Sequence, residues 1–130
     1  MKKIVFLSAI VCIVAFCNSC KKETGSIDCY IYQNIDSTEK NMQLFIDDIP
    51  RGQVPYLHHK PTCDSTELKS KTLNLVLSYG KHNIVCKDST GTIKNMSYVK
   101  YTSKSSGGGG TLGGVEGNSN GVCAIIRIMY

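Results

Sequence analysis

No stretch of this 130-residue chain reaches the roughly 20 consecutive apolar residues that a membrane-spanning helix needs. It also lacks a run of roughly five to eight basic residues, and its formal charge is only +5, which argues against a nucleic-acid partner. No serine sits in a Gly-x-Ser-x-Gly elbow and the acidic residues are dispersed, so neither a hydrolase nucleophile nor a paired-carboxylate site is written in the chain. Cys29, Cys63, Cys86 and Cys123 avoid the two-residue interval of zinc knuckles. A sustained helical period is missing after residue 20. Together these absences exclude most function classes that a short motif can announce, and no cofactor is called for.

What is present begins with Met-Lys-Lys, an apolar run over 4–16 broken only by Ser8, and the small and polar residues Asn18 and Ser19. A positive start, a short apolar stretch and a small-residue cleavage zone are the layout of a secretory signal. Cys20 closes it, preceded by Ser19 and followed by Lys21, Lys22 and Glu23. These residues resemble the lipobox of Bacteroidetes-type outer-membrane lipoproteins. That resemblance implies a helical signal peptide over 1–19, lipid on Cys20, a polar tether over 20–26 and an outer-membrane address. Cys17 competes as the acylated residue, but bulky Phe16 stands before it. The residues after Cys20 admit either the periplasmic face or the cell surface. More than one acyl chain, each buried methylene contributing about 0.8 kcal/mol, makes a firm anchor.

The remaining residues, 20–130, suit one small domain. The charge falls from +5 to +3 once Lys2 and Lys3 leave. Of the seven cysteines, Cys12 and Cys17 go with the signal and Cys20 carries lipid. Cys29, Cys63, Cys86 and Cys123 are left, and an even number in an exported domain predicts two disulfides. Three pairings satisfy that count.

Short apolar segments separated by turn residues predict an all-β domain over 27–130. "IDCYIYQ" (27–33) is rich in β-branched and aromatic residues. "MQLFID" (42–47) follows a polar turn. "LNLVLS" (73–78) puts Leu73, Leu75 and Leu77 on one face, "HNIVCK" (82–87) puts Ile84 and Cys86 together, and Tyr79-Gly80-Lys81 is read as the turn between them. "IKNMSYVKYTS" (93–103) alternates, but both of its faces carry apolar residues and either could point inward. "GVCAIIRIMY" (121–130) closes the chain with Val122, Ala124, Ile126 and Ile128 inward. Six or seven strands of this kind predict a small antiparallel β-sandwich of immunoglobulin-like type.

Two segments, "LFIDDIPRG" (44–52) and "LSYGKHNIVCKDSTG" (77–91), resemble the two halves of a PEGA-type domain. The resemblance implies a core role for Leu44 and Ile46, a hairpin turn at Asp47-Asp48, a second turn at Gly80-Lys81-His82, and His82, Ile84 and Cys86 inward. Asp48 stands where that pattern has glycine, and residues 53–72 exceed its usual connection. Members of the family are mostly accessory modules without catalysis.

Three further features bear on sites. "SKSSGGGGTLGGVEGNSNG" (103–121) lacks a following Gly-Lys-Ser/Thr and leads into a strand, so it reads as a flexible loop and not as a phosphate cradle. "YLHHKPTCD" (56–64) gathers His58, His59, Cys63 and Asp64. Neighbouring residues of an extended segment point opposite ways, and Cys63 is wanted for a bridge, so no metal site is expected. Asp-Ser-Thr occurs at 36–38, 64–66 and 88–90. Turn chemistry explains such triplets, and they also resemble an O-glycosylation acceptor pattern, which would place glycans on Ser37, Ser65 and Ser89.

The expectation from sequence is therefore a lipid-anchored envelope protein with a non-catalytic binding or structural role and an envelope protein or glycan as partner. A second expectation is an inhibitor or immunity-type lipoprotein that blocks an envelope-attacking enzyme such as lysozyme, a class it resembles through Cys29 and Cys123 near the two ends of the domain.

Overall fold

A computed structural model describes residues 22–34, 41–119 and 123–130. Within them lie nine strands and one short helix: β1 (Ser26–Gln33), β2 (Gln43–Ile46), β3 (Ile49–Gln53), α1 (Glu67–Lys71), β4 (Leu73–Ser78), β5 (Gly80–Lys87), β6 (Ile93–Tyr101), β7 (Ser106–Leu112), β8 (Gly114–Ser119) and β9 (Cys123–Met129). They build a β-sandwich from a four-stranded sheet, ordered β4-β1-β9-β8, and a five-stranded sheet, ordered β3-β2-β5-β6-β7. Between the sheets lies one core that includes Ile31, Leu44, Ile46, Ile84, Val99 and Ile126.

The sandwich itself meets the expectation, but four of its details do not. The strands number nine among the described residues, not six or seven. The central pair β1 and β9 is parallel, with Asp28 opposite Cys123 and Ile31 opposite Ile126, in a fold read as antiparallel throughout. Tyr79-Gly80 joins no hairpin: β4 belongs to one sheet and β5 to the other, and Gly80, at φ 131°, takes the chain across between them. Finally, the segment read as a loop over 103–121 supplies, within its described residues, β7 and β8.

Several of the glycines that suggest flexibility, among them Gly108, Gly110 and Gly113, serve close packing instead. A Cβ on Gly108 would lie 2.8 Å from the Tyr98 carbonyl oxygen and 2.9 Å from Val115 Cγ2. Only a residue without a side chain lets β8 fold back over β7 at that distance. Gly113, at φ 66°, makes the corner, and there the buried Asn95 amide donates to the carbonyls of Gly114, at 2.9 Å, and Met129, at 2.6 Å. This fixes the inward face of β6, which alternation left open, as Asn95, Ser97, Val99 and Tyr101.

The long connection 54–72 covers the outer face of the four-stranded sheet. Leu57 and Leu68 pack there on Tyr30, Tyr32, Cys123 and Ile125 in a second apolar cluster. Burial on both faces is why β1 and β9 read as near-continuous apolar runs. Lys60 reaches Glu116 at 3.2 Å, and Glu116 also meets Arg127, so ion pairs hold the connection along its rim. The five-stranded sheet has no such cover among the described residues, and β2, β5 and β6 accordingly alternate.

Candidate binding face

Two disulfides are expected and one is present among the described residues, Cys63–Cys123, with Cα atoms 6.1 Å apart. Asp28 lies opposite Cys123 in the β1–β9 register, so Cys123 and Cys29 point to opposite faces of their sheet. Cys123 faces outward, where the connection brings Cys63. Cys29 and Cys86 are free thiols facing the core from opposite sheets. Burial pushes both thiols up to about 12, and Cys29 has the Tyr101 hydroxyl beside it. The two cysteines near the domain ends, Cys29 and Cys123, are therefore not joined.

The histidine pair is exposed and separated in its contacts. His58 Nδ1 lies 3.3 Å from the Tyr56 hydroxyl, and His59 Nε2 lies 3.7 Å from Glu67. Among the described residues, no group of three His, Cys, Asp or Glu side chains could hold a metal ion. Cys20 and Ser37 lie outside the described residues. Ser65 is half-buried, and its Oγ accepts from the Glu67 N–H at 3.3 Å as α1 begins. Ser89 is exposed on a turn organised by Asp88, whose Oδ1 accepts from the N–H groups of Thr90 and Thr92 at 2.9 Å each. Two of the three Asp-Ser-Thr copies thus do perform turn chemistry.

His82 has a setting that motif spacing does not announce. Its Nδ1 lies 2.6 Å from Asp47 Oδ2, and its Nε2 lies 2.8 Å from the Ser78 carbonyl and 3.4 Å from Ser78 Oγ. The sequence of carboxylate, imidazole and hydroxyl resembles a hydrolytic relay, but the hydrogen bonds point elsewhere. A carboxylate and a carbonyl both accept, so each contact calls for an N–H on the ring, and the nitrogen beside Ser78 Oγ is committed to the carbonyl. The arrangement pins the Asp47-Asp48 turn, the type I′ hairpin turn with φ of 52° and 65°, onto β5. Asp47 Oδ1 completes the pin by accepting from the Asn83 N–H at 2.9 Å. Partial burial raises the Asp47 carboxyl, but the His82 and Asn83 hydrogen bonds outweigh it and hold the group below the usual carboxylate range.

The feature with the makings of a site is the uncovered outer face of the five-stranded sheet. Its register places Pro50 opposite Phe45, Phe45 opposite Val85, Val85 opposite Met96 and Met96 opposite Leu112. One apolar side chain from each of five strands thus forms a row about 19 Å long, at about 4.8 Å per strand. Met96 and Leu112 are 45% and 47% exposed. Lysines flank the row: Lys81 Nζ sits 4.3 Å from the centre of the Tyr98 ring, and Lys87 Nζ sits 4.7 Å from that of Phe45, while Lys100 lies opposite Lys81. Between the row and Tyr98 is a depression of about 440 Å3 lined by Val85, Met96, Tyr98, Gly110 and Thr111, with Asp48 and Lys81 at its edge. Alternation in β5 and β6 shows these residues in the sequence, but cross-strand register, which assembles them into a row, has no local signal.

Among the described residues, no helix is long and apolar enough to cross a membrane. Comparisons with protein-family models, curated proteins and solved structures return no match.

Proposed function

We propose that this chain is a lipid-anchored, non-catalytic binding module of the outer membrane, and that it binds through the outer face of its five-stranded sheet. The row Phe45–Val85–Met96–Leu112 carries this reading. Large apolar side chains aligned across a solvent-facing sheet mark an interaction surface, whereas scattered ones do not. The signal-like start and Cys20 support the anchor, and the likeness to PEGA-type modules supports an accessory role. The disposition of His82, which serves a turn, supports the absence of catalysis. The alternative reading is an inhibitor of an envelope-attacking enzyme, a class that this chain resembles through Cys29 and Cys123 near the two ends of the domain.

The test is capture from an envelope extract by the full-length lipidated protein, wild type against Met96→Glu. A partner retained by the wild type and lost by the variant is expected, and equal capture by both overturns the assignment of the face. Release of a Cys20→Ser variant from the membrane fraction tests the anchor. Intact mass of the native protein tests glycans on Ser37, Ser65 and Ser89: a mass equal to polypeptide plus lipid ends that idea.

A further inference from the structure

The chemistry of the uncovered face narrows its occupant. Resting on the binding reading above, we propose that it takes an acidic polypeptide segment carrying one apolar anchor residue. The anchor fills the depression beside Met96 and Tyr98, and flanking carboxylates meet Lys81, Lys87 and Lys100.

Three observations select this occupant over others. A second copy of the chain would bring Lys81, Lys87 and Lys100 against the same lysines, and like charges brought together across an interface disfavour that pairing. An anionic lipid surface would suit the lysines. However, a face that docks on lipid buries itself about 5–10 Å into the headgroup boundary, and here the apolar row is flush with a sheet and partly sunk around a concave depression of about 440 Å3. A concavity accepts an anchor side chain, and buried anchors in pockets supply most of the energy of a protein contact. A sugar would need an open aromatic face for stacking. Lys81 already covers the Tyr98 ring, the Gly109 backbone lies against that ring, and Lys87 covers Phe45.

The lysines have a second part in the arrangement. An ammonium over a ring is held by the ring quadrupole without being neutralised, so Lys81 and Lys87 keep their charge for a partner while lying flat along the apolar row. Carboxylates arriving on either side of the anchor would draw them off the rings and uncover more apolar area for contact. Such a surface reads a pattern of charge-apolar-charge more than a particular sequence. Being partly electrostatic and exposed, its affinity falls as salt rises.

Selection from a displayed random-peptide library on the full-length protein in detergent micelles tests this directly, with Lys81→Glu/Lys100→Glu and Met96→Glu variants in parallel. All three substituted positions are exposed, and melting curves confirm that the variants fold. Enriched peptides are expected to hold aspartate or glutamate around one large apolar residue. Their affinity should drop by about tenfold or more on either variant, the order expected when interface charges or an anchor contact are removed, and should weaken with salt. Enrichment of basic or neutral peptides, affinity equal on all three proteins, or no enrichment overturns the proposal. So does binding to phosphatidylglycerol vesicles that depends on Lys81 and Lys100 without any peptide preference, or self-association abolished by Met96→Glu. If extract capture still depends on Met96 while the selected peptides are not acidic, the acidic-segment inference fails and the binding reading stands. If neither extract nor library yields a ligand sensitive to Met96→Glu, both fail.

Discussion

The side-chain amide of Asn95 on β6 donates to the main-chain carbonyl of Met129 on β9 at 2.6 Å, and the same nitrogen reaches the Gly114 carbonyl at 2.9 Å. One fully buried polar side chain thereby ties the two sheets together where β7 turns into β8. Its Oδ1 accepts from Ser97 Oγ at 2.6 Å, so the group is satisfied on both sides. Asn95→Ala removes the donor and leaves two carbonyls without that partner, at a cost of about 2 kcal/mol. Urea titration should show the midpoint falling with an unchanged slope, since the surface exposed on unfolding is the same. A midpoint equal to that of the wild type would mean the corner holds without Asn95.

Asn95 also marks the limit of what sequence reading can reach here. Apolar alternation located β4, β5 and β6, because a strand with one wet face must alternate, apolar and aromatic content located β1, β2 and β9, and the leucines of β4 share one face as read, the face that packs on the core. On β6 the inward face carries Asn95 and Ser97 while the outer face carries Met96 and Tyr98, so polarity does not choose between the faces. The deciding interaction is a hydrogen bond to a strand 34 residues on. Residues 103–121 misled for a related reason: glycine signals freedom locally, whereas Gly108 is required by the approach of Val115, which only the folded chain reveals. The cysteine count was right as far as exported-domain chemistry goes, but which thiols meet depends on the face of the sheet each occupies. The binding row is legible only in fragments, residue by residue, until register joins them.

The two kinds of cysteine should separate chemically. Cys29 and Cys86 are both 0% exposed, and their thiols are pushed up to about 12 by burial, so the reactive thiolate is scarce as well as shielded. Iodoacetamide on the native protein, read by peptide mass spectrometry, should leave both unmodified, and guanidinium should expose both. Cys63 and Cys123 should react only after a reductant is added. Labelling of Cys29 or Cys86 in the native protein at the rate of an exposed thiol would contradict their placement.

The Cys63–Cys123 bridge closes a loop across a sequence separation of 60. By the chain-entropy model its loss costs about 4 kcal/mol. Because it fastens residues 54–72 over the second apolar cluster, a Cys63→Ser/Cys123→Ser variant should become sensitive to limited proteolysis in that connection first. Cleavage that begins in β5 or β6 would place the weakest point elsewhere.

Asp48 holds φ 65° without being glycine, at the second central position of a turn that favours Asn-Gly or Asp-Gly. A left-handed conformation costs a side-chain-bearing residue roughly 1–2 kcal/mol, part of which glycine gives back through the entropy of the unfolded chain. Asp48→Gly should therefore stabilise by about 0.5–1 kcal/mol, measured as a higher urea midpoint. A lower midpoint would show that the Asp48 side chain contributes something the turn geometry does not account for.

Acid should act through Asp47. Its carboxyl is held below the ordinary range in the folded protein, so the charged form gains stability on folding. That contribution is complete above the unfolded value near 3.9 and is lost as pH falls through the folded value. Between pH 5 and 7, Asp47→Asn should be less stable than the wild type, and below about pH 4 the two curves should converge. Divergence on acidification would reverse the sign and remove the His82–Asp47 contact as the cause.

Glycines along β7 should divide by what faces them. An added Cβ on Gly107 meets nothing within 4 Å, and alanine in a strand recovers about 0.5–1 kcal/mol of backbone entropy relative to glycine. On Gly108 the same carbon would stand 2.8 Å from a backbone oxygen of β6 and 2.9 Å from Val115, and relieving that overlap by moving β8 costs about 1–3 kcal/mol. Gly107→Ala should hold or raise the thermal midpoint and Gly108→Ala should lower it. If both variants melt alike, β8 is not packed against β7 at Gly108, and residues 103–121 behave as the flexible loop their composition suggests.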